Sequence, residues 1–426
     1  MIFVAIELRR LLIGDPFGDY NFLKFPGETE PIWERYTAQI PYATTTGKWH
    51  RRDNIGSFIG GIHSLHLRFL RVSFGTSPNG VAVSHAATAF RAGAIARFGL
   101  GGNPTNGGSF VLGDPDGRQM INPTSANTFY ELRWSQPANG WWRVSVALPP
   151  EGGTQDLDEV RLWEFIDIEP FLEDMIPADA DTEVFQMPFG RYFVGTHYRW
   201  TAKRLTITLL FSRTETTLRK QLEGFLTKPS AHYPLELFVD NYLFRCAPAS
   251  LRFEPVGGLV VRAVIELQLL QPYGYHQNRY ISVSPPTNPN SDEPIRLTVG
   301  NDLITAETPC EVRVAPGSAV NGYKIRVKVL PADQTAVFAM DGTEAGKVIS
   351  FSENGKVLMA AKGSATTVTD VTGRVELTSQ LPFVLHSGTN LVFVEYLDSN
   401  NNPISDTTLW QVACAFNPRG GEVTRL

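Results

Sequence analysis

Apolar residues recur along this chain with a period of two far more often than with the period of a helix, which predicts many strands and little helix. HSLHLRFLRVSF (63–74) alternates Leu65, Leu67 and Phe69 with His66, Arg68 and Leu70, so a half-buried strand is expected there and a second near 86–98. TFYELRW (128–134) and GWWRVSVALP (140–149) are strand-like in the same way, and residues 55–150 read as a small β module. KRLTITLLF (203–211) sets Leu205, Ile207, Leu209 and Phe211 on one face of another strand. The period then changes. Leu218, Leu222, Phe225 and Leu226 fall at i, i+4, i+7 and i+8, one face of a helix of about three turns. Ser212 and Glu215 have the spacing of a capping box, and Pro229 ends the helix.

YPLELFVDNYLFRC follows as two strands joined at Asp240-Asn241, residues that tolerate the left-handed backbone of a two-residue hairpin turn. PVGG (255–258) makes the next turn and leads into LVVRAVIELQLL. Strand, helix and then a meander imply an antiparallel sheet with one helix packed on it. The last of these strands stops at ELQLLQPYGYH, where Pro272 turns the chain and Tyr273, Tyr275 and His276 follow. ISVSPPTNPNSDEP (281–294) reads as a proline-rich linker and the clearest domain boundary. Beyond it, eight short runs from IRLTVGN to LWQVACAFN recur every ten to twelve residues between turn residues, which predicts a β-sandwich over 295–426.

Length and composition narrow the function classes. At 426 residues the chain exceeds a single core, which stops growing near ~250–300 residues. Its 37 Gly and 29 Pro fit many turns, and a net charge of −5 gives no basic footprint for direct nucleic-acid recognition. No stretch is apolar for the ~18–20 residues of a membrane helix, so membrane insertion is not expected. The glycine-rich run 99–117 lacks the Lys and the helix start of a phosphate loop. Residues 151–183 hold twelve acidic side chains against Arg161 alone and read as a solvated connector rather than a calcium site. Cys246, Cys310 and Cys414 are too few and too far apart for a disulfide framework, and packing is their expected role.

Three features in order give a resemblance: RLTITLLF…LRKQLEGFL…PLELFVDNYLFRCAP, then LQLLQPYGYH, then a C-terminal sandwich containing PFVLHSGTNLVFVEY (382–396). In this order, residues 185–426 resemble the distal tail protein family of siphophages. The resemblance implies a mainly β chain. It would hold a β-sandwich ring domain with one helix at 185–280, a galectin-like sandwich at its end, and the module at 55–150 as an addition. Residues 1–50 would be an N-terminal segment able to join the ring domain. It further implies a homo-hexameric ring at the distal tail tip of the virion, between tail tube protein and tail-tip hub, with DNA passing through the lumen and no cofactor. The helix face Leu218, Leu222, Phe225 and Leu226 and the exit turn Gln271, Pro272 and Tyr273 would belong to that domain.

Two other classes are weighed against it. Trp134, Trp141 and Trp142 gather around a Gly-containing turn and suit a host-glycan platform, since one of the adjacent pair must face away from the core. Catalysis is not expected: no nucleophile elbow, HExxH or cysteine-histidine pattern occurs, and His63 and His66 would point to opposite faces of a strand.

Overall fold

The structure, a computed structural model, describes residues 5–13, 33–36, 49–52, 58–63, 67–74, 81–88, 93–100, 108–114, 117–125, 128–134, 141–148, 153–177, 182–189, 192–200, 204–227, 235–270, 273–300, 302–361 and 369–420. In the strands between 33 and 88, and in 153–160 and 182–200, it describes the backbone alone. The described residues are mainly antiparallel β, with a single α-helix at Thr216–Thr227.

A 13-stranded sheet organises the first two thirds of the chain. Its main path runs Thr128–Trp134, Gly93–Leu100, Gly153–Asp167, Ile6–Ile13, Leu235–Val239, Tyr242–Gly257, Val260–Leu269, Arg204–Ser212 and Leu172–Pro177. The helix lies on one face. There Leu218, Leu222, Phe225 and Leu226 close a core with Ile6, Leu8, Leu205, Ile207, Leu237 and Ile265. Ser212 is not its cap: its hydroxyl meets the Thr214 amide (3.2 Å), and the first helical bond runs from the Arg219 amide to Glu215 O. Both hairpin turns form as expected, with positive φ at Asp240 and Asn241 and at Gly257 and Gly258.

Three boundaries drawn from sequence shift. The 55–150 stretch is split between sheets: Phe58–His63, Leu67–Phe74, Gly93–Leu100 and Thr128–Trp134 belong to the large sheet, while Val81–Thr88, Ser109–Asp114, Gly117–Ile121 and Trp141–Leu148 build a six-stranded one with Trp33–Tyr36 and Trp49–Arg52. The acidic run is no connector. Gly153–Asp167 is a 15-residue strand in the large sheet, next to Ile6–Ile13, whose cations supply what the run lacks when read alone. Glu164 stands opposite Arg10, both buried, and the burial of Arg10 lowers its pKa against the pull of Glu164. The N-terminal segment accordingly contributes a central strand.

The proline-rich stretch is stitched to the sandwich rather than free. Tyr280–Val283 pairs with Ala413–Phe416, Thr287 and Trp410 exchange backbone hydrogen bonds (2.9 and 2.8 Å), and the Asp406 amide donates to Pro289 O. Proline removes a donor but keeps its carbonyl, so such a segment still serves as an edge. The sandwich has a seven-stranded and a four-stranded sheet around a core that includes Trp410, Phe338, Phe351 and Cys414. Its last strand, Arg419–Gly420, returns to pair with Gly274–Tyr275 of the strand Gly274–His276, whose Tyr275 and His276 also pair with Leu243 and Tyr242 of the large sheet.

Candidate functional site

Four strands of the large sheet form a patch whose two faces differ sharply: Tyr242–Gly257, Val260–Leu269, Arg204–Ser212 and Leu172–Pro177. Alternation decides the faces. Leu205, Ile207, Leu209 and Phe211 turn to the helix and are buried, whereas Arg204, Thr206 and Thr208 turn away. Cross-strand register carries the polar set across the patch: Thr206 is opposite Glu266 and Ile176, and Glu266 is opposite Ser250. This outer face carries Arg204, Arg252 and Arg262 against Glu173, Asp174, Glu254 and Glu266, so the charges nearly cancel with a slight acidic excess. Arg262 grips Glu173 with two hydrogen bonds of 2.8 Å, which hold that carboxyl below the usual range. Arg252 meets Glu266 at 3.4 Å.

An open groove of about 480 Å³ runs beside the patch where the helix ends, lined by Glu223, Leu226, Pro248, Ser250, Leu251 and Phe253 among others. The hairpin tip nearby exposes apolar side chains: Val256 at 48%, Leu259 at 68% and Val260 at 40%.

Beside the patch, on the same face away from the helix, the neighbouring strands of the sheet carry a charged belt. Arg9 sits over the Phe238 ring at 3.7 Å and bonds Glu7 at 2.8 Å, and Glu7 also pairs with Arg133. Glu236, fully buried, accepts hydrogen bonds from Trp163 Nε1 (2.9 Å) and the Tyr275 hydroxyl. Burial and the neighbouring Glu236 carboxylate push the Tyr275 pKa up. Sequence periodicity missed this belt because Glu and Arg count as surface residues. Its only signal was the density of Arg9, Arg10 and Glu7 inside an otherwise apolar strand.

The residues singled out from sequence fall in different places. Leu218, Leu222, Phe225 and Leu226 are buried in their own chain's core, so that helix face has no surface left for a neighbour. Tyr273 is half-buried beside the strand Gly274–His276, while Gln271 and Pro272 lie outside the described residues. Trp134 is half-buried on an edge strand of the large sheet; Trp141 and Trp142 lie on a strand of the six-stranded sheet, with side chains outside the description. Sequence neighbours are therefore split between two sheets. His66 also lies outside the described residues. Among those described, no cluster of His, Cys, Asp and Glu is placed to hold a metal ion, and no helix is long and apolar enough to cross a membrane. All three cysteines are buried.

No protein-family model matches the chain, and the search of curated proteins gives no match. Solved structures do align with it. The crystal structure of the SPP1 Dit (gp 19.1) protein, described as a paradigm of the hub adsorption apparatus in phages infecting Gram-positive hosts, covers 60% of this chain and 96% of its own at 11% identity and a TM-score of 0.40. The phage P2 baseplate in its activated conformation with calcium covers 59% and 93% at 10% identity and a TM-score of 0.30. A tandem CBM22 domain from Paenibacillus barcinonensis Xyn10C covers 87% and 92% at 7% identity and a TM-score of 0.22. At these identities and scores no functional residue carries over.

Proposed function

We propose that this chain is a structural, non-catalytic subunit of a ring at the distal end of a long phage tail. There it joins tail tube protein to the tail-tip hub around the channel that the DNA traverses. The observation that carries this is the two-faced patch. A sheet sealed on one side by its own helix and left polar on the other is built to stand between a dry core and a water-filled space. Its outer face matches a conduit. Three arginines among four carboxylates give passing phosphates no cationic track, and it is such tracks that hold DNA through counterion release. The sequence resemblance over 185–426 supports the same role, and the hexamer and its two axial partners come from that resemblance alone.

Negative-stain imaging of the purified full-length chain tests the proposal, with closed rings around a central hole as the expected result. A chain that stays a single copy at every concentration, alone and with tail tube protein, would remove it. DNA retention offers a second check: at ~150 mM salt the protein should not shift duplex DNA in a gel, because the lumen face supplies no cationic track.

A further inference from the structure

The chain crosses from the large sheet to the sandwich and back again, and both crossings meet at His276. The chain leaves through Gly274–His276, enters the sandwich at Tyr280–Val283 and comes back at Arg419–Gly420. The His276 backbone ties these runs together. Its amide donates to Pro418 O (2.7 Å), its carbonyl accepts from Asn417 Nδ2 (3.1 Å), and it stands opposite Tyr242 of the large sheet. Gln277 adds two bonds of 3.0 Å to Asn241, one from its amide to the Asn241 carbonyl and one from Nε2 to Oδ1.

The imidazole is packed into the same joint. It is buried, T-shaped against the Tyr242 ring (5.4 Å) and beside the Tyr280 ring (5.8 Å), which in turn stacks on Phe416 (6.1 Å). Its Nδ1 accepts from the Asn278 amide (3.1 Å), and Asn278 Oδ1 accepts from the Arg97 guanidinium of the large sheet. A ring nitrogen that accepts carries no proton, so the joint is built around a neutral ring. The charges nearby are unevenly placed. Arg97, on Gly93–Leu100, is the cation whose field reaches the ring, while Asp240, in the turn before Tyr242, acts on the Tyr242 hydroxyl. Arg419 stands opposite Tyr275, and Arg245, Arg161 and Glu236 act on the Tyr275 hydroxyl, which alternation puts on the other face. Arg279 is turned into the sandwich, to Glu311 and Glu353 at 2.8 Å each. Among the described residues, no carboxylate is set against the ring to receive an imidazolium.

We infer that this joint is an acid-sensitive clasp: a proton on His276 Nδ1 displaces the Asn278 amide and frees residues 276–278 from Asn241 and Pro418, while the large sheet and the sandwich each stay folded. Two effects drive the opening. The Asn278 amide and the new N–H are both donors and cannot share one site, and the imidazolium would be buried in the field of Arg97. The sign follows from linkage. Burial first, and Arg97 after it, lower the pKa of the closed ring, so the opened ring takes up the proton first and the clasp loosens as pH falls below about 6.5. The inference does not rest on the ring role proposed above.

The test is hydrogen exchange on the purified full-length protein, read by mass spectrometry at pH 7 and pH 5 and corrected for the intrinsic rate at each pH. A peptide over 274–280 should lose about tenfold or more of its protection at pH 5, while peptides from Val260–Leu269 and Thr389–Leu397 keep theirs. His276→Gln leaves a neutral acceptor for the Asn278 amide and should hold 274–280 protected at pH 5. If that variant folds poorly, selective loss over 274–280 in the wild type carries the inference by itself. Equal protection of 274–280 at both pH values would overturn it, and so would an equal loss in His276→Gln. Loss spread evenly over all three peptides would also overturn it, since that pattern marks global acid unfolding.

Discussion

At the scale of single residues, the part hidden from the sequence was the buried charge. Glu7, Arg9, Arg10, Glu164 and Glu236 look like surface residues, yet all are buried, because strands distant in sequence bring them opposite charge or an aromatic face. Tyr275→Phe should therefore cost about 1.5–3 kcal/mol in urea unfolding, since it removes one donor from a fully desolvated carboxylate. An unchanged midpoint would show that the Trp163 donor and the Arg245 guanidinium, 3.9 Å from the carboxylate, hold Glu236 without Tyr275. His276 gives a pH-dependent counterpart. Burial first, and the Arg97 charge after it, lower its pKa below the ordinary 6.5, and the Asn278 amide donates to Nδ1 at 3.1 Å. A depressed folded-state pKa means that the unfolded chain takes up the proton first. The stabilisation is thus complete above about pH 6.5 and lost as pH falls toward the folded value. His276→Gln should flatten that slope in thermal melts taken between pH 7 and 5.

At the scale of elements, local patterning served well wherever neighbouring residues decide the outcome. The helix face and the Asp240-Asn241 turn were legible because a period of four residues, or two residues of left-handed backbone, needs no distant information. The capping box failed because Ser212 still belongs to the strand Arg204–Ser212, and its carbonyl accepts from the Glu215 amide (2.9 Å) in a turn that precedes the helix. An apolar stripe says that something covers it, and here the covering sheet belongs to the same chain, as the strand, helix and meander order implied. Phe225→Ala should cost about 3–5 kcal/mol in denaturant unfolding. Leu259→Ser at the exposed hairpin tip should change stability by no more than ~0.5 kcal/mol. If the two variants fall equally, the tip is not the free surface that its exposure indicates.

At the scale of the molecule, domain boundaries were the least legible level, since composition does not reveal which strand pairs with which. The proline-rich stretch shows why. Its backbone bonds to Val412, Trp410 and Asp406 come from residues more than a hundred positions away. A fragment spanning 280–420 should accordingly fold with a higher melting temperature than one spanning 295–420, which loses the strand Tyr280–Val283 and the Thr287–Trp410 bridge. Equal melting temperatures would restore the linker interpretation.

The position of Ile6–Ile13 bears on how the chain is made. It leaves the ribosome well before its neighbours on either side, Gly153–Asp167 and Leu235–Val239. Until those strands follow, this segment lacks both of its partners while it carries Arg9, Arg10 and Glu7. Those charges, which the finished sheet conceals, are what keep the nascent stretch solvated and discourage it from sticking to other newborn chains.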